Sequence, residues 1–164
     1  MKNERFNVEK RAECSLTEQV HIVMSEDING AGRLFGGRLV EWIDEVAGIV
    51  GLRHSGHNVT TAAIENLQFK EGAYIGEIIV LIGRVVYTGR TSMEVRIDTY
   101  REELSGMRYP INRAYLTMVA LDERDKPVPV PKLKIESETE KAEWEYALAR
   151  RESRKKRQTE GFSQ

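Results

Sequence analysis

The chain has 164 residues, the size of one domain with room for a buried core. Its 25 Lys and Arg against 26 Asp and Glu leave a net charge of -1, which supplies no whole-chain attraction for nucleic acid or an anionic membrane. The single cysteine, Cys14, excludes an internal disulfide, MKNERFNVEK lacks the apolar stretch of a secretory signal, and no run of about 18 apolar residues occurs, so a cytoplasmic, reducing setting is expected.

Residues 1–14 are polar and aperiodic, and TEQVHIVMSE (17–26) then reads as a strand. A glycine-rich stretch, NGAGRLFGG (29–37), follows it. From Phe35 to about Arg53 the apolar spacing is helical, and HSGHN (54–58) ends the helix. VTTAAIENLQF (59–69), IGEIIVLIGRVVY (75–87), SMEVRIDTYREEL (92–104) and YPINRAYLTMVALDE (109–123) read as strands separated by EGAY, TGRT and SGMR. Turns this short favour antiparallel neighbours, so a strand, a helix and a strand meander predict an α+β domain. The alternate prolines of PVPVPK (127–132) end the last strand and mark a boundary between a domain over 1–131, with its core at about 14–131, and an extension over 132–164. In the extension, SETEKAEWEYALARRESRKKR (137–157) has Ser137 and Glu140 at capping-box spacing with acids early and bases late, and predicts a mostly solvated helix.

Projected at about 100° per residue, the first helix places Leu39, Trp42, Ile43, Val46, Ile49 and Val50 on one arc and Asp44 nearly opposite. A carboxylate there would ordinarily face water. Its neighbours on that face, however, are Gly37, Gly48 and Gly51, and each interior glycine costs about 0.5–1 kcal/mol relative to alanine. Such a stripe suggests that another chain or a substrate comes close to the backbone beside Asp44.

Asn29-Gly30, Phe35-Gly36-Gly37, Trp42-Ile43-Asp44-Glu45, VTTAAIENLQF, TGRTSMEV and VALDERDKPVPVP stand in this order over roughly residues 14–131. In that arrangement the chain resembles the acyl-CoA thioesterases of the hot-dog fold. The resemblance implies a long helix wrapped by a curved antiparallel sheet, protomers paired edge to edge, and dimers that commonly assemble into trimers of dimers. It implies hydrolysis of fatty acyl-CoA to free acid and CoA without a cofactor.

Thioester hydrolysis needs a stabilised oxyanion and an activated water. The free N–H groups of Gly36 and Gly37 at a helix N-terminus suit the oxyanion, and glycine lets the carbonyl approach. Asp44 would serve as general base, or as a nucleophile forming an anhydride, with the general base favoured. Asn29 offers a donor and an acceptor for water or thioester, although Asn-Gly is also a turn signal. For the phosphates of CoA, the turn TGRTS supplies the amide of Gly89, Arg90, and the hydroxyls of Thr91 and Ser92. Arg150, Arg151, Arg154, Lys155, Lys156 and Arg157 are a second cation source, though such a run is more often a solvated helix end. Phe69 and Tyr87 are candidates to stack on adenine, though strand aromatics are usually core.

His21, His54 and His57 stand in no metal-ligand spacing, no cysteine pair completes a site, and GxSxG and GxxxxGK[ST] are missing, so no metal or nucleotide cofactor is expected. Two rival readings are a non-catalytic acyl-CoA sensor module and a hot-dog hydratase or dehydratase acting on acyl thioesters. Gly37 and Asp44 lie about 10 Å apart on a regular helix, too far to serve one thioester carbon, so the expected unit is an obligate dimer with two shared sites.

Overall fold

The apolar arc predicted on the first helix is the surface around which the chain folds. In the computed structural model, which describes residues 8–161, this helix is α1 (Gly36–Ser55); residues 1–7 of the N-terminal stretch and 162–164 of the extension lie outside it. It starts after Phe35 without a side-chain cap and stops where Gly56, at φ 69°, donates its N–H to the Leu52 carbonyl at 2.9 Å. Leu39, Trp42, Ile43, Val46 and Val50 are buried along it.

Five strands wrap this face: β2 (Thr17–Ile22), β3 (Asn58–Glu65), β4 (Ile78–Thr88), β5 (Ser92–Glu102) and β6 (Arg108–Leu121). They form one antiparallel sheet in the order β2-β4-β5-β6-β3. Ile79, Leu81, Val95, Ile97, Leu116 and Met118 are buried on it, each contributing about 1.5–3 kcal/mol by leaving water. Helix and sheet leave no room for a side chain at Gly83, where an added Cβ would stand 2.8 Å from Val46 Cγ1 and 2.9 Å from Val50 Cγ2. Any side chain there would force the two layers apart.

The α+β class and the curved antiparallel sheet are as expected, but the meander is not. β3 pairs with β6 at the edge, so residues 66–77 are a crossing connection and not a hairpin turn. Its predicted strand ends early because Asn66 takes φ 58°, and the connection then lies over the start of α1, where Leu34 N–H donates to the Ala73 carbonyl at 2.7 Å. A bulge between Thr61 and Ala63 shifts the β3–β6 register by one residue.

Two short strands escape sequence reading. β1 (Glu9–Arg11) pairs in parallel with β7 (Lys132–Lys134), just past the prolines. His54 of α1 fastens this corner: its Nε2 lies 3.2 Å from the Pro131 carbonyl and its Nδ1 3.3 Å from Ser15 Oγ. Fully buried, its imidazole is held below the usual histidine pKa by desolvation, with the Pro131 hydrogen bond opposing and Lys10 adding to the shift.

α2 (Glu138–Gly161) carries the predicted capping box: Glu140 N–H donates to Ser137 Oγ at 3.1 Å and Ser137 N–H to Glu140 Oε2 at 3.2 Å. Most of the helix is solvated, but one stripe docks on the outer face of the sheet. Ala147 is buried, Trp144 packs against Tyr87 with the rings tilted by 50° and their centroids 4.5 Å apart, and Arg150 donates to Glu94 at 2.5 Å while lying over the Tyr115 ring at 3.6 Å. Glu94 is only 3% exposed, and desolvation raises its carboxyl pKa against the opposing pull of Arg150.

Candidate active site

The Asn29 loop is closed on itself. Asn29 Oδ1 accepts from the amides of Ala31 at 2.9 Å and Arg33 at 3.2 Å, while its backbone N–H donates to the Arg33 carbonyl at 2.8 Å. The side-chain oxygen therefore builds the turn, and the exposed Nδ2 has no partner among the described residues. A turn role and a donor role thus coexist in one residue. The turn just before it is tied to α1 by Asp27, which takes the Met24 amide at 2.8 Å and the Arg38 guanidinium at 3.1 Å.

The amides of Gly36 and Gly37 open the helix, and among the described residues neither has an acceptor. Both glycines lie against aromatic rings. An added Cβ at Gly37 would come 2.5 Å from Phe35 Cε1, and one at Gly36 would lie 3.4 Å from Phe69 Cζ. Asn29, Gly36 and Phe69 share a cleft of about 330 Å3 with Leu39 and Ile111. Phe69 is 52% exposed, so it is a wall of this cleft and not a core residue.

Asp44 stands elsewhere on the helix and does not simply face water. Thr61 of β3 donates its hydroxyl to Asp44 Oδ1 at 2.6 Å, the length of a charge-assisted bond. Asp44 has no ion pair among the described residues and is half-buried. Thr61 also touches Met118 Sδ at 3.5 Å. The glycines of this face divide by cause: an added Cβ at Gly51 would meet Val59 at 3.2 Å, one at Gly37 would meet Phe35, and one at Gly48 would meet nothing within 4 Å. Only Gly48 leaves space for something from outside the chain.

Thr61, Met118, Met93 and Thr88 lie on one rung across β3, β6, β5 and β4, which sets the Gly89–Ser92 turn at the Asp44 end of the sheet. Two strand spacings, about 10 Å, separate Thr61 from Met93. The turn is closed by Gly89 N–H donating to the Ser92 carbonyl at 2.8 Å. Its carbonyls are anchored as well, by Ala120 N–H to Thr91 at 3.0 Å and Val130 N–H to Arg90 at 3.0 Å. Arg90 is exposed and has no ion pair among the described residues.

Phe69 and this turn do not meet within one chain. Asn112, which donates to the Gln68 carbonyl at 2.6 Å, is paired with Thr99, six residues along β5 from Met93 and so about 20 Å away. Tyr87 is buried under Trp144, with its hydroxyl taking Arg151 at 2.5 Å, so its ring is not open to adenine. The basic tail is occupied in the same way: Arg150 holds Glu94, Arg154 and Arg157 hold Glu65, and Lys155 pairs with Glu152. These arginines are docking groups for α2, a role that sequence reading missed.

No histidine bonds Asp44 among the described residues. His21 stacks on Trp42 at 4.1 Å, with its pKa lowered by burial against Glu45 and Asp27. No group of three His, Cys, Asp or Glu side chains among the described residues could hold a metal ion. None of the helices described is long and apolar enough to cross a membrane.

A helix wrapped by five antiparallel strands, with free amides at its start and an ion-pair-free carboxylate on its flank, is the arrangement of a hot-dog domain. The thioesterase superfamily model matches residues 31–106, which span the Asn29 loop's end, α1 and the strands up to β5. A hexameric acyl-CoA thioesterase of known structure is 41% identical, with a TM-score of 0.87 over 92% of this chain and 97% of that one. Staphylococcus aureus acyl-CoA hydrolase, solved with butyryl-CoA and CoA, is 32% identical at a TM-score of 0.87 over 93% of this chain and 94% of that chain. Variants of that hydrolase with one asparagine, one aspartate or one threonine changed to alanine have also been solved. An uncharacterized acyl-CoA thioester hydrolase of Zymomonas mobilis is 34% identical over 65% of this chain and 72% of its own length. Mouse acyl-coenzyme A thioesterase 11 is 35% identical over 71% of this chain, which spans only a fifth of the mouse protein. The chain belongs to the thioesterase superfamily, among the acyl-CoA thioesterases of the hot-dog fold.

Proposed function

We propose that this protein hydrolyses fatty acyl-CoA to free acid and CoA, with Asp44 as general base and no cofactor. The observation that carries the assignment is the 2.6 Å hydrogen bond from Thr61 to Asp44. It fixes the rotamer of a carboxylate that no cation neutralises, which a water-activating base requires. Support comes from the S. aureus hydrolase, whose altered asparagine, aspartate and threonine are separated by the same intervals as Asn29, Asp44 and Thr61.

In this mechanism the thioester carbonyl lies at the start of α1 and accepts from the Gly36 and Gly37 amides, whose fixed dipoles meet the charge as it develops. Asn29 Nδ2 donates to the thioester or to the attacking water. Asp44 takes the proton from that water, the tetrahedral intermediate collapses, and the C–S bond breaks with CoA leaving as thiolate. The two halves of the site come from two protomers, Asp44 and Thr61 of one facing the Asn29 cleft of the other, because about 10 Å of helix separates them within a chain. The Gly89–Ser92 turn, with Arg90, Thr91 and Ser92, holds CoA phosphate, and Phe69 lines the path to the carbonyl. The dimer assembles further into a trimer of dimers and works in the cytoplasm, as hexameric and cytosolic relatives suggest.

Thiol release across a series of acyl chain lengths tests this reading. Asp44→Ala should abolish turnover while circular dichroism and melting stay close to wild type. A folded Asp44→Ala variant with near-normal turnover would remove Asp44 as the base.

A further inference from the structure

β6 carries an irregularity of its own beneath the cleft at the start of α1. Its pairing with β5 slips between Thr99 and Tyr100: Thr99 stands opposite Asn112 and Tyr100 opposite Pro110, so Ile111 has no partner on β5. A bulge re-aims side chains, and here the consecutive residues Ile111 and Asn112 are both buried, at 2% and 5% exposure. Ile111 lines the cleft with Asn29, Gly36 and Phe69. Asn112 is a polar group that the core does not satisfy. Thr99, directly opposite and fully buried, has no partner for its hydroxyl among the described residues, and Asn112 has none for Oδ1. The one hydrogen bond of the Asn112 side chain leaves the sheet, from Nδ2 to the Gln68 carbonyl at 2.6 Å. For the sheet alone an apolar residue of that size would be more stable, because it would bury no half-paired amide.

Gln68 belongs to the 66–77 connection, whose next residues, Phe69 to Ala73, form one wall of the cleft. Leu67 packs on the core, but between 67 and 72 the bond from Asn112 is the only hydrogen bond or ion pair to residues outside the connection, among the described residues. The wall is tied at its other end by Leu34 N–H to the Ala73 carbonyl. We propose, resting on the role assigned above to Phe69, that Asn112 is a positioning residue for the reaction. By holding Gln68 it sets the Phe69 ring against Gly36, where an added Cβ would lie 3.4 Å from Phe69 Cζ, and so fixes the width of the entry to the two helix amides. The bulge serves this purpose, since it places a cleft residue and the holder of the cleft wall side by side on one strand.

Steady-state thiol release by Asn112→Leu, Phe69→Ala and the double variant tests this, read beside thermal melting and amide hydrogen exchange. Asn112→Leu should raise KM for acyl-CoA about three- to tenfold, the range that one uncharged hydrogen bond covers. Its kcat should stay within about twofold, because a wall binds the substrate alike before and during the chemical step. Its Tm should stay close to wild type, since the lost bond went to a carbonyl on exposed Gln68 that water can serve. Exchange should quicken over residues 67–72 and not in β5 or β6. In the Phe69→Ala enzyme the Asn112 change should add little to KM, as for one residue acting through another. Asn112→Ala removes the same donor and replaces Asn112→Leu should leucine disturb the bulge. A wild-type KM in the folded Asn112 variants beside a raised KM in Phe69→Ala, or effects that multiply in the double variant, would overturn the positioning role and leave Phe69 in place. A Phe69→Ala enzyme with wild-type KM would instead remove Phe69 from the substrate path, and the proposal with it.

Discussion

Replacing Thr61 with valine is the sharpest probe of the proposed base, because the two side chains are close in shape and differ by one hydroxyl. That hydroxyl makes a 2.6 Å bond to Asp44 Oδ1 and touches Met118 Sδ at 3.5 Å. A hydrogen bond to a charged group contributes about 1.5–3 kcal/mol. If the bond is needed to aim the carboxylate in the transition state, losing it should lower kcat by about 10- to 150-fold. KM should change little, since Asp44 and Thr61 lie about 10 Å from the turn assigned to phosphate. Stability should fall by well under the full bond energy, because half-buried Asp44 can take water in place of the lost donor. Steady-state thiol release, read beside thermal melting, separates these effects, and Thr61→Ser should restore most of kcat. A folded Thr61→Val enzyme within about twofold of wild-type kcat would refute the orienting role.

Arg90→Ala should raise KM by about tenfold or more with kcat within about twofold, because it removes uniform binding to a remote phosphate while backbone anchors keep the turn; an unchanged KM would leave the turn as structure alone. Refolding Asn29→Ala chains together with Asp44→Ala chains should restore activity toward roughly a quarter of wild type, since half the dimers are mixed and each mixed dimer keeps one intact site; verified heterodimers as inactive as their parents would exclude shared sites. His54, with its pKa lowered by burial, contributes stability above the unfolded value of 6.5 that is lost as pH falls through its lower folded value. Wild-type Tm should therefore fall from about pH 7.5 to about pH 5 more steeply than that of His54→Gln, and parallel curves would remove His54 as the cause.

Much of this architecture could be read from side-chain periodicity. The α1 arc, the glycine stop at Gly56 and the α2 capping box are local signals, and each stands where expected. The β3–β6 pairing could not be read, because nothing local distinguishes a crossing connection from a turn once Asn66 breaks the strand. β1 and β7 are three residues each and find one another only across the whole fold. In the candidate site, Asp44 and the two glycines carry a pattern, but Thr61 does not. Of the adjacent threonines in VTTAA, only the register of the folded sheet decides which one turns to the helix. The α2 stripe was equally hidden, since beside Ala147 and Trp144 its anchors are Glu143, Arg150 and Arg154, charged residues that mark a solvated face in a hydropathy reading.

The β3 bulge acts as a phase shifter. In a plain strand, positions 61 and 65 would share a face, and Glu65 would be driven toward the core. The extra residue lets Thr61 attend to α1 while Glu65, four positions on, receives Arg154 and Arg157 of α2 on the other side. A deletion of Ala62 would therefore do more than shorten an edge strand. It would swap the sheet faces of Ile64 and Glu65 and cut the tail's anchorage, while the stretch up to Thr61 kept its old alignment. Related chains that keep the base-orienting threonine but carry no such tail are free of that constraint. In them the bulge is dispensable, so the presence of the tail and the irregularity in this strand should be gained and lost together.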